Sequence, residues 1–204
     1  MNTKYLLFSA VFLFMVLSIA PKSSAMEVGD LVQTGAAFLT HIAVHESGHH
    51  ITANMVDGED PKMEFFKNQG GNFFLGVSSV KSIQPESILP FRSAGVVASS
   101  HLFNAALNDY RRLPSTYNKT LLFFSGTDFL LYSVWSFYIQ DSKDPSYDPV
   151  GISLETGLSP HAIAGAALLQ SAVNFYRAYS GDDSLIPYFT LGQDRADFGV
   201  TYRF

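Results

Sequence analysis

The chain has 204 residues, with 13 Lys and Arg against 18 Asp and Glu, a formal net charge of -5, and no cysteine. The acidic balance argues against nucleic acid as a partner. The lack of cysteine excludes a disulfide scaffold and means that any zinc would have to be held by His and carboxylate groups. Hydrophobic residues make up 47% and charged residues only 15%, against about a quarter charged in ordinary soluble domains.

The first 25 residues read as a secretory signal peptide. Lys4 supplies a positive start, Tyr5 to Ala20 is an almost unbroken apolar run, and Ser23-Ser24-Ala25 offers small residues for cleavage. A retained anchor is the alternative, but the run is short for a span of about 20 residues. With no Cys near that site, a lipid-anchored lipoprotein is not expected. The remainder, residues 26–204, reads as a single domain. Export through such a leader places the protein in a bacterial cell envelope, with a membrane location expected and a periplasmic or outer-membrane-associated one as the alternative.

In chain order, Leu31 to Val56 reads as a helix closed by Asp57-Gly58. Pro61 to Ser82 reads as a β-hairpin around Asn68-Gln69-Gly70-Gly71. Ile88 to Leu107 is a second helix rich in small residues, including Ser93, Ala94, Gly95, Ala98, Ser99 and Ser100. Thr120 to Ile139 is nearly pure apolar with one charge, Asp128. Asp141 to Pro149 reads as a loop, and Ser159-Pro160 starts a helix to about Tyr179. The tail has two alternating stretches, Tyr188 to Leu191 and Phe198 to Phe204. The expected fold is mainly α: about four apolar helices, a β-hairpin between the first two, and short β elements at the C-terminus. Thr120 to Ile139 is long enough to span a bilayer at about 30 Å for 20 residues. The bundle is therefore expected to be membrane-embedded, with buried helices of a soluble domain as the alternative.

The chemistry concentrates in His45-Glu46-Ser47-Gly48-His49. Residues four apart lie on one helix face, so His45 and His49 can point both imidazoles at one metal. Glu46 then reaches the open coordination position, where it can take a proton from water. Zinc suits imidazole plus carboxylate and keeps one position open in catalytic sites. Chance alone places H-E-x-x-H in on the order of one percent of chains this long. Here it falls within an apolar helical pattern, and His41 and His50 flank it. For these two an accessory role beside the site is expected rather than ligation.

A catalytic zinc takes a third protein ligand. The candidates after the helix are Glu64, Glu86, His101, Asp109, Asp128, Asp148 and His161. Asp128 is expected to be that ligand, because an ionisable group inside an apolar span is costly and needs a partner. His101 is second, and with Asn104 it could donate to a substrate carbonyl or oxyanion. Asp148 and Glu64 lie beside loop or hairpin signals and are expected to be solvated.

The pattern resembles the site-2 protease family of intramembrane zinc metalloproteases. His45-Glu46-Ser47-Gly48-His49 is similar to its first motif. Ser93-Ala94-Gly95, with Ala98 and Asn104, loosely resembles its small-residue central segment, and Asp128 takes the place of its aspartate ligand. Gly126-Thr127-Asp128 with Tyr132 also faintly resembles the motif of the soluble aspzincins. The resemblance implies a zinc metallopeptidase cleaving a peptide or membrane-protein substrate in or near a lipid bilayer, with His45, His49 and Asp128 on the metal and Glu46 as base. The alternatives are a non-catalytic envelope or membrane protein that keeps a zinc site, and a soluble exported zincin. The terminal alternation ending on Phe204 also resembles the last strand of an outer-membrane barrel. The expected reading of that strand is pairing with the Phe73 to Val80 segment.

Overall fold

Serine, proline and glycine mark the ends of several helices. In the computed structural model, which describes residues 27–69, 72–191 and 196–203, Ser115 Oγ accepts from the Asn118 amide and caps helix α3, Thr116–Val134. Ser159 likewise accepts from the Ala162 amide and caps α5, Pro160–Ser180, with Pro160 in the first turn. Each side-chain oxygen satisfies an amide that the helix start leaves unpaired, typically worth about 1 kcal/mol. Gly157 and Gly181, at φ of 70° and 72°, end α4 (Asp148–Thr156) and α5. That left-handed conformation costs glycine nothing and other residues a Cβ clash.

The first helix, α1, covers Val28–Met55. A hairpin follows, β1 Lys62–Gln69 against β2 Asn72–Ser79, antiparallel with Lys62 opposite Ser79 and Phe65 opposite Gly76. A short 3-10 turn, Pro85–Ser87, leads into α2, Ile88–Arg112. After α3 the helix widens into a π turn, Trp135–Ile139. A second hairpin, β3 Leu185–Leu191 with β4 Ala196–Tyr202, closes the described chain.

Helix α3 is central and packs against α1, α2 and α5. Leu121 and Leu122 join Ala37 of α1 and Phe103, Ala106 and Leu107 of α2 in one cluster. Phe129 joins Leu89, Val96, Ile152, Ile163 and Ala167 in a second. Burying each such large side chain contributes about 1.5–3 kcal/mol. Helices α1 and α2 cross closely at small residues. A Cβ on Gly48 would lie 2.5 Å from the Ala94 carbonyl oxygen and 2.7 Å from Ala98 Cβ. The small-residue stretch of α2 is therefore the seat for the motif helix.

Three expectations are corrected. Among the described residues no helix is long and apolar enough to cross a membrane, so the membrane-embedded bundle is overturned. The apolar run Thr120 to Ile139 is instead the central core helix, broken by the π turn. Its apolar side chains meet other helices, and its buried Ser125, Thr127 and Ser133 face protein too. Among the described residues five α-helices are present rather than about four, because Asp148 to Thr156, partly assigned to a loop, is helical. Strand β4 pairs with β3 and not with the Phe73 to Val80 segment. The expected signal peptide, residues 1–25, lies outside the described residues.

Candidate metal centre

One face of α1 carries His41, His45 and His49, each one turn from the next and all buried. Helices α2, α3 and α4 converge on this face. Helix α3 supplies Asp128 and, one turn later, Tyr132. Helix α4 supplies Asp148 at its first residue. It approaches α2 closely because residue 151 is glycine: a Cβ there would lie 2.8 Å from Arg92 Cδ and 3.0 Å from the Pro145 carbonyl oxygen.

The hydrogen bonds fix which imidazole nitrogen faces which partner. His49 Nδ1 lies 2.6 Å from the Phe91 carbonyl oxygen, which can only accept, so Nδ1 donates. His45 Nδ1 lies 2.9 Å from Asp128 Oδ2, with Ser99 Oγ at 3.4 Å, and donates to the carboxylate. Both Nε2 atoms then point the same way. They lie 3.3 Å apart and 3.1 and 2.9 Å from Asp148 Oδ2, His45 first. With both imidazoles neutral, three lone-pair atoms face one another in a buried space, an arrangement that a metal ion or a proton would relieve. The edge of a tetrahedron around zinc, at bond lengths of about 2.0–2.2 Å, is about 3.3–3.6 Å. The donor set comes close to that size before any adjustment.

A Cβ on Gly95 of α2 would overlap Nε2 of both His45 and His49. Glycine at this position leaves open the space beside the two donors. Glu46 is buried next to it under strand β2, where a Cβ on Gly76 would lie 2.6 Å from Glu46 Cγ and 2.9 Å from Ile42 Cγ2. Ser78 Oγ donates to the Glu46 carbonyl oxygen at 2.8 Å and ties β2 to α1.

Electrostatics follow from burial and this pairing. Burial raises the Glu46 carboxyl above its ordinary value, against the pull of His45 and His49. A raised carboxyl suits a group that must take up and release a proton. Burial opposes charge on His45, yet Asp128 and Asp148 outweigh it and raise the imidazole well above its usual range. Burial likewise opposes ionisation of Asp148, but His49 and His45 lower it to about 2. For Asp128 the same contest ends well below the usual carboxylate range, with His45 and His41 as the partners.

Among the described residues two groups could hold a metal ion: His45, His49 and Asp148, all buried, and His41, His45 and Asp128. The expected trio of His45, His49 and Asp128 does not appear as one group. Asp128 reaches the far nitrogen of His45, and Asp148 takes the place beside His49. His41 Nε2 lies 3.1 Å from Asp128 Oδ1, at hydrogen-bond distance but off its axis. His50 is half-buried outside this face, with no hydrogen-bond partner for Nδ1. His101 is exposed, and Asn104 Oδ1 accepts from Arg177 of α5 at 2.9 Å. These two lie about 9 and 13 Å along α2 from Gly95 at 1.5 Å per residue and take no part in the cluster. Glu64 pairs with Lys67, and His161 with the Tyr138 hydroxyl.

Sequence reasoning placed Asp148 in solvent and met Tyr132 only through a resemblance. The signal for Asp148 is Asp148-Pro149, an acid at a helix start with proline next to it, which marks a defined position rather than a loose loop. Tyr132 stands 6.0 Å from His45, ring to ring, and its hydroxyl accepts from the Asp148 amide. Burial, with the Asp148 and Glu46 carboxylates, keeps that hydroxyl protonated. No family model, curated protein or solved structure matches this chain.

Proposed function

We propose that this chain is a zinc-dependent peptide-bond hydrolase, with the metal held by His45, His49 and Asp148 and with Glu46 as general base. The observation that carries this reading is the convergence of three donor atoms within 3.3 Å of one another, beside a buried glutamate one residue from the first histidine. Bound there, zinc would act as a Lewis acid on a carbonyl and on water. The chain does the rest. His49 is held by the Phe91 carbonyl and His45 by Asp128, so both Nε2 atoms stay aimed. Glu46, buried beside Gly76 of β2, would take a proton from the attacking water and return it to the leaving amine. An intact glutamate favours catalysis over a purely structural site, which has no use for a base. The leader-like first 25 residues support export, and the reading does not depend on a lipid setting.

The test is metal content with one substitution. Purified protein should hold about one zinc per chain. Glu46→Gln should keep that zinc and lose casein hydrolysis by about 10²–10⁴-fold. Well-folded wild type without zinc, or a Glu46→Gln protein cleaving at the wild-type rate, would sink the reading.

A further inference from the structure

We infer that Asp128, braced by His41, is a positioning carboxylate that fixes the tautomer and tilt of His45, and is not itself a ligand. The inference rests on the metal reading above and goes beyond it in assigning a role to the second half of the cluster. Asp128 Oδ2 meets His45 at Nδ1, 2.9 Å away, while the same ring turns Nε2 to Asp148 at 3.1 Å. The two carboxylates thus address opposite nitrogens of one imidazole. A neutral imidazole carries one N–H, and Asp128, able only to accept, draws it to Nδ1. Nε2 is left as the lone-pair donor, and a carboxylate behind a ligating imidazole also raises its basicity.

His41 serves Asp128 in turn. Its Nε2 is 3.1 Å from the other oxygen, Oδ1. Its ring is stacked on Phe124 at 6.1 Å and 23°, so it has little freedom to swing into the metal position. The Asp128 side chain is only 10% exposed, and a buried carboxylate without compensation costs several kcal/mol. His45 meets that need with a hydrogen bond and His41 by its close approach, which gives the third histidine on the motif face a role.

The experiment compares zinc affinity by chelator competition, the visible spectrum of the cobalt form, and the ring N–H signals of the zinc form by NMR. Wild type should show a slowly exchanging imidazole proton on His45 Nδ1, a readout that needs no variant. Asp148→Asn should lose stoichiometric metal. Asp128→Asn should still bind one metal with an unchanged cobalt spectrum, but about 10–100-fold more weakly. His41→Phe should weaken zinc by a smaller factor, and His41→Gln, which still offers Asp128 a donor, should recover most of it. The inference is overturned if Asp128→Asn loses stoichiometric metal or alters the cobalt spectrum as Asp148→Asn should, or if the zinc form carries no proton on His45 Nδ1. It is also overturned if Asp148→Asn keeps its metal while Asp128→Asn does not. A wild type that takes up neither zinc nor cobalt would overturn the metal reading itself, an outcome visible before any variant is made.

Discussion

Replacing Gly95 by alanine adds one methyl group and tests the site geometry most sharply. The new carbon would overlap Nε2 of both His45 and His49 and lie 2.6 Å from His45 Cδ2, whereas ordinary contact begins at 3.4 Å. The His45 ring must therefore retreat by about 0.8 Å, while ligand distances in a metal site tolerate only about ±0.2 Å. Zinc affinity should fall by on the order of 100-fold or more. The fold should survive. Gly95 is helical, so alanine contributes up to about 1 kcal/mol of helix propensity, against about 1–3 kcal/mol for overpacking. The net change is then a loss of roughly 0–2 kcal/mol in the metal-free protein. Chelator competition measures the first quantity and urea unfolding the second. A Gly95→Ala protein with wild-type zinc affinity would show that the two Nε2 atoms do not form the site.

Gly76→Val should leave zinc content near wild type but reduce hydrolysis by about 10²-fold or more, because its Cβ displaces Glu46 Cγ and Ile42; metal analysis and a casein assay separate the two effects. In metal-free protein, Asp148 should stabilise the fold above its unfolded value of 3.8 and lose that contribution as pH falls towards about 2. The gap in unfolding free energy between wild type and Asp148→Asn should therefore close by about 2 kcal/mol across that window, and a gap that stays constant with pH would contradict the pairing. Away from the site, Arg177 is buried, bonds Asn104 and Asp183, and covers the Phe103 ring at 5.6 Å. Arg177→Ala should cost about 2–4 kcal/mol with zinc binding unchanged; a shift below 0.5 kcal/mol would show that the network is not stabilising.

The local signals in this sequence were strong wherever a rule acts over a few residues. Helical spacing alone put His41, His45 and His49 on one face and Glu46 beside them. The turn-like Asn68 to Gly71 stretch signalled that the segments on either side pair as a hairpin, and Ser159-Pro160 marked the start of α5. The cost of a buried charge singled out Asp128 as a group needing a partner, expected to be the metal, whereas the groups beside it are His45 and His41. Which nitrogen it would meet was beyond reach, because that depends on how α3 crosses α1, and Asp148 read as a solvated loop acid, since only the π turn and α4 bring it from 103 residues away in sequence to His45. The same limit produced the membrane expectation. Hydropathy records that Thr120 to Ile139 avoids water, but the run is not one regular helix: it ends at Val134 and widens into the π turn, and no described helix is long and apolar enough to cross a membrane. Only the tertiary structure decided which helices cover that apolar run, as it decided the donor set, since both depend on which surfaces meet rather than on the composition of any one segment.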